Sequence, residues 1–197
     1  MKTILAAGLA LALALSAGLA EAQKNIRVRG TITVVGGESL SVLTREGKQL
    51  ELALTGKTSI AAAKAITLGD LKPGAYVGCT TTKRADGALV AVEVHTIPRR
   101  VPEGHRPWDL QPGSMMTNAN IASVVKSAGG DLLTVEYKGG SQKILVPSGT
   151  PVVTTTKADR SALKPGEYVF LVAVVNDGGK MTASRIQVSK DGVKPPQ

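Results

Sequence analysis

From Ile26 onward the chain alternates apolar and polar residues with a period of two. Ile26, Val28, Ile32 and Val34 fall on one side, and Arg27, Arg29, Thr31 and Thr33 on the other. That alternation predicts a half-buried strand. Gly36-Gly37 turns the chain, Leu40 and Val42 open a second strand, Glu46-Gly47 turns again, and Leu50, Leu52 and Leu54 mark a third. Short spacings with glycine turns predict a meander. A less regular stretch, 58–71, precedes a Lys72-Pro73-Gly74 turn and a fourth strand over 76–81. Asp86-Gly87 is a hairpin signal, and 89–95 form the fifth strand, with Val90, Val92 and Val94 on one face.

The same plan then repeats. Residues 26–97 align with 119–190 at an offset of 93, which becomes 92 after one extra residue in the first copy. Gly36-Gly37-Glu38 matches Gly129-Gly130-Asp131, Leu40-Ser41-Val42 matches Leu133-Thr134-Val135, and Leu71-Lys72-Pro73-Gly74 matches Leu163-Lys164-Pro165-Gly166. A duplication fixes architecture before any single residue does. In the second copy, 121–125, 132–137 and 143–146 form the meander, and a hairpin closes around Asp177-Gly178-Gly179. The copies differ most between strands three and four, where Ala61-Ala62-Ala63-Lys64 faces Thr154-Thr155-Thr156-Lys157. Alanine tolerates helix and a threonine run prefers extended chain, so the pattern leaves this segment open.

Three strands in a meander and two in a hairpin, with a crossover between, fit a small closed barrel, and closure removes exposed strand edges. The expected fold is therefore all-β: two tandem antiparallel five-stranded OB-like barrels, spanning 23–97 and 119–190. A leader over 1–22 precedes them, a proline-rich linker over 98–118 joins them, and a tail over 191–197 follows. The opening Gly-x-Ile, the Gly-Gly-x-x-Leu-x-Val stretch, the Leu-Lys-Pro-Gly-x-Tyr-Val turn and the closing Asp-Gly hairpin resemble bacterial exported β-barrel proteins, known as a domain of unknown function and often found in tandem. The resemblance implies a fold and supplies no catalytic residues.

The N-terminus changes the picture of location. Lys2 gives a positive start, 4–17 an apolar run, and Ala20-Glu21-Ala22 small residues at a cleavage position. These are the features of an export signal, and the run is short for a membrane span of about 20 residues. The mature chain is expected to begin at Gln23, in a periplasm or outside the cell, with no transmembrane span. Loss of Lys2 and Glu21 leaves the formal net charge at +9. Nucleic acid is not the expected partner, because single-strand binding needs aromatic platforms and the chain holds one Phe, one Trp and three Tyr. The charge instead suits an anionic lipid or envelope polymer.

Candidate chemistry is sparse. No nucleophile triad, paired-carboxylate signature or phosphate loop is present, and the expectation is a protein that is not an enzyme. Cys79 and His95 fall on opposite faces of the closing hairpin, which disfavours a dyad, and Cys79 is expected to be a buried small hydrophobe. The outward-facing Glu93 and His95 become Arg185 and Gln187 in the second copy, as surface positions do. The linker is the unusual region: four prolines stiffen it, and Trp108 and Leu110 need burial, so it is expected to strap the barrels together. Arg27, Arg29, Arg99, Arg100 and Arg106 are the candidate contacts for an anionic partner, which could be an envelope protein, a polymer or a small ligand. A second candidate is a soft-metal site of His105, Trp108, Met115 and Met116, because thioether and imidazole ligands suit Cu(I) or Ag(I). The set resembles that of periplasmic copper and silver chaperones built on OB-like barrels, although adjacent Met115 and Met116 point apart in extended chain.

Overall fold

The computed structural model describes residues 24–176 and 178–197; the expected leader and Asp177 lie outside the described residues. Thirteen strands and two short 3-10 turns make up the regular structure, with no α-helix among the described residues. The first repeat supplies β1 (Lys24–Val35), β2 (Ser39–Thr44), β3 (Gln49–Ala53), β4 (Ser59–Ala65), β5 (Tyr76–Lys83) and β6 (Leu89–Thr96). The strap carries β7 (Gly104–Pro107). The second repeat supplies β8 (Met115–Val125), β9 (Asp131–Tyr137), β10 (Gly140–Val146), β11 (Val152–Ala158), β12 (Tyr168–Val175) and β13 (Met181–Val188). The segment that composition left open is thus a strand, β4 or β11, in both copies.

Strand pairing closes two five-membered rings, and neither ring is one repeat. In the first ring β1 pairs with β2, β2 with β3, β3 with β13, β13 with β12, and β12 returns to β1. In the second ring β8 pairs with β9, β9 with β10, β10 with β6, β6 with β5, and β5 returns to β8. Each meander is closed by the other repeat's hairpin. The expectation of one self-contained barrel for 23–97 and another for 119–190 is corrected here. The physical reason is that the two hairpins are near-copies, so each presents a matching edge to either meander, and β4 and β11 carry the chain across. These connectors pair antiparallel, with Ala63 opposite Thr155, and each also lies parallel to a strand of one ring. The result is one continuous sheet running through both rings.

The two cores follow the exchange. One joins Val28, Ile32, Leu40, Val42 and Leu52 of the first repeat to Leu163, Val169, Leu171, Ile186 and Val188 of the second. The other joins Leu71, Val77, Cys79 and Val94 to Ile121, Leu133, Val135 and Ile144. Burying such aliphatic side chains stabilises by about 1.5–3 kcal/mol each before chain entropy is counted. Two phase details differ from the sequence reading. A bulge at Thr80/Thr81 shifts β6, so Leu89 and Ala91 pack on the core with Val94, whereas Val90 and Val92 do not. The first strands also match at a different offset. Ile32 exchanges backbone hydrogen bonds with Gly166 and Glu167, as Ile121 does with Gly74 and Ala75. Ile32 and Ile121 are therefore equivalent, 89 apart, while Val42 and Val135 opposite them remain 93 apart. The first turn of the second repeat absorbs the difference.

Candidate functional site

Directly paired residues in neighbouring strands share a face. On the outside of the first ring this aligns Arg27, Val172 and Arg185 in one row and Arg29, Phe170 and Gln187 in the next. The equivalent rows of the second ring are Met116, Thr80 and Glu93, then Asn118, Gly78 and His95. Residues from both outer faces meet across the β4–β11 pair in a cleft of about 350 Å³. Its lining takes Ala61, Thr155 and Lys157 from the connectors, Pro98, Arg100, Arg106 and Trp108 from the strap, and Pro196 and Gln197 from the tail.

The cleft is cationic. Arg27, Arg100, Arg106, Lys157 and Arg185 line it, and among the described residues no Asp or Glu does. Among the described residues only Arg27 of these five has an ion-pair partner, Asp109. Burial pulls the Arg185 guanidinium below its ordinary value, and the neighbouring charge of Arg100 adds to the effect. An arginine so shifted still carries its proton at neutral pH. Two guanidinium groups lining one groove, with no acidic side chain among its described lining residues, leave a positive potential there.

Trp108 organises one wall. The Arg27 guanidinium stacks 4.4 Å from its ring centroid and that of Arg29 lies at 5.8 Å. Arg29 also lies 4.8 Å from the Phe170 ring. Both arginines donate to Asp109, at 3.1 and 2.8 Å, and the buried Arg29 Nε atom has no partner among the described residues. Arg45 donates to the Asp109 and Leu110 carbonyls at 2.9 and 2.6 Å. The strap is thereby tied to the first ring, while β7 pairs with β8 of the second. The tail closes the other wall: Trp108 Nε1 donates to the Gln197 carbonyl at 3.0 Å, and Gln197 N donates to buried Glu93 at 2.9 Å. His95 Nδ1 stands 3.2 Å from Glu93 Oε1 but is not aligned for a hydrogen bond. Gly78 makes room for that ring, since a Cβ there would stand 2.5 Å from His95 Nε2.

The arginines singled out from sequence divide three ways. Arg27, Arg100 and Arg106 reach the cleft. Arg29 is buried behind it, in the ion pair with Asp109. Arg99 turns away, donating to Asn120 Oδ1 and the Gly74 carbonyl beside Tyr76. Lys157 and the tail join the cleft without any signal in the sequence, and Arg185 and His95, which alternation places on open surface, line it as well. For Arg185 and His95 the available signal was their alternation with apolar residues in the closing hairpins.

The four soft-metal candidates do not converge. Met116 pairs with Arg106 and faces the cleft; Met115 pairs with Pro107 on the opposite face of β8. His105 Nδ1 is engaged at 2.8 Å with Thr117 Oγ1, and burial lowers the imidazole pKa. Among the described residues no group of three or more His, Cys, Asp or Glu gathers in a metal-binding arrangement. Cys79 is fully buried; desolvation, with the nearby charge of Glu93, pushes its thiol up to about 12. Its pairing with Val94, and that of Gly78 with His95, puts the thiol and the imidazole on opposite faces.

A domain of unknown function, DUF5666, is found at residues 29–95. That stretch is the first repeat, whose meander and hairpin go to different rings. No curated protein and no solved structure matches the chain. No helix among the described residues is long and apolar enough to cross a membrane.

Proposed function

We propose that this chain is an exported bacterial binding module, a strand-exchanged pair of OB-like barrels that holds an anionic ligand in the cleft between them and catalyses no reaction. The observation that carries the reading is that Arg100 and Arg185 line one cleft in which, among the described residues, no acidic side chain takes part. Lys157, Arg106 and Arg27 extend the same charge. Carboxylate, phosphate or sulfate groups of an envelope polymer or small ligand would be drawn there, because charge-assisted bonds from guanidinium groups are the stronger kind. Export is supported by Lys2, the apolar run over 4–17 and the Ala20-Glu21-Ala22 step, and processing near Ala22 would leave the mature chain in a periplasm or outside the cell. The deep burial of Cys79 on the face opposite His95 argues against one route to catalysis, a cysteine–histidine nucleophile.

The single tryptophan reports on the cleft directly. Titrating pyrophosphate or citrate at low salt is expected to change Trp108 fluorescence saturably. The response should weaken as ionic strength rises, because exposed charges are screened over about 10 Å at 0.1 M. Arg100→Ser with Arg185→Ser should abolish it, while Lys72→Ser on an exposed turn should not. A flat titration at low salt, or an unaltered response in the double variant, rejects the anion site.

A further inference from the structure

The equivalence of Ile32 with Ile121 makes Ile26–Arg29 the counterparts of Met115–Asn118. On β8 those four residues carry β7: Gly104 lies opposite Asn118, His105 opposite Thr117, Arg106 opposite Met116 and Pro107 opposite Met115. On β1 the same positions pair with β12 on one side only, and β2 does not begin to pair until Gly30. The open side is the one toward which the Arg29 carbonyl points, since it accepts from Arg45 N at 3.0 Å. Backbone groups alternate in direction along a strand, so the N–H and C=O of Arg27 face the same way. Neither has a ladder partner there among the described residues. A groove of about 320 Å³ runs along this edge, walled by Arg45, Lys48, Leu50 and Asp109.

We propose that this edge is a docking site for an extended acidic segment of a partner polypeptide, added antiparallel to β1 as β7 is added to β8. Unpaired edges are templates for such addition: main-chain bonds supply attraction and alternate side chains supply choice. The charge favours acid. Arg27, Arg29, Arg45 and Lys48 border the groove against Asp109 and Glu46. The register identifies which partner residue matters: the one opposite Arg27 stands where Arg106 stands in the second ring, on the cleft side of the sheet. A Glu or Asp there meets the cleft's cations, and the next residue points away. The site uses backbone groups and so goes beyond the anion site, which uses side chains alone.

The test is amide hydrogen exchange of the purified protein, with and without an acetylated, amidated eight-residue peptide alternating Glu and Thr. The peptide is expected to slow the Arg27 amide by at least about tenfold, since a ladder bond must now open first. N-methylation of the peptide residues that face β1 keeps every charge and should abolish the protection. Replacing Glu by Gln should weaken binding without abolishing it at high peptide concentration. Arg27 protection by the peptide together with a flat pyrophosphate titration upholds the edge site while the cleft reading fails. The proposal is overturned if the N-methylated peptide binds as well as its parent, if protection appears elsewhere, or if the Arg27 amide is already protected in the free protein.

Discussion

Gly30 sits where β1 begins to pair with β2, at an approach so close that a Cβ would overlap the Leu43 carbonyl and stand 2.8 Å from the Thr44 Cα. Its counterpart in the second ring is Ala119, which is fully buried and carries a Cβ. The restriction therefore comes from the local closeness of β2 and not from the ring plan. Gly30→Ala should lower stability by about 1–3 kcal/mol, the usual cost of forcing atoms into packed backbone, as measured by urea unfolding; an unchanged midpoint would refute the crowding. Cys79 gives a second prediction at this scale. The thiolate is the reactive form, and with burial holding the thiol up to about 12 the native protein should resist a disulfide reagent at pH 8. Unfolding in guanidinium should release one equivalent at once, and rapid native labelling would contradict the burial.

Among the elements, the strap was the most legible from sequence and the connectors the least. Trp108 and Leu110 in a proline-stiffened segment demanded a surface to pack on, and the strap has one. The pattern could not show that its end is strand: a repeat that aligns from Ala119 leaves Met115–Asn118 in the linker, although they begin β8. Ala61–Ala63 carried no preference strong enough to separate helix from strand, and only pairing with Thr155 and Arg185's neighbours decides it. Arg185 and Lys157 escaped for a related reason. Alternation tells which face of a strand is polar, but not that a second ring covers that face. The strap's docking has a pH signature. Partial burial pushes the Asp109 carboxyl up, yet hydrogen bonds and charge from Arg29 and Arg27 outweigh it and hold the group below the ordinary carboxylate range. A depressed carboxylate stabilises above its unfolded value of about 3.9 and loses that contribution as pH falls through the folded value. Trp108 fluorescence should therefore stay constant from neutral pH to about 5 and shift below about 4. Asp109→Asn should remove that step, and its persistence in the variant would assign the transition to another group.

For the whole molecule, the exchange of hairpins is the property that repeats in sequence cannot reveal, because swapped and unswapped rings satisfy identical local preferences. It nevertheless has a consequence that independent barrels would not share. Every ring takes strands from both repeats, so neither half can bury its own core: Val28 and Leu40 face Leu171 and Ile186, and Val77 and Cys79 face Leu133 and Ile144. A protease site inserted between Pro112 and Gly113, in the exposed turn between β7 and β8, would cut the only covalent link between the halves. The cut protein should elute as one species and unfold in one transition, at a midpoint that now rises with concentration because two chains must associate. Each half purified in denaturant should fail to regain strand signal alone and recover it when the two are mixed. Halves that part under native conditions, or that each refold unaided to a protected core, would mean that the rings close within the repeats after all.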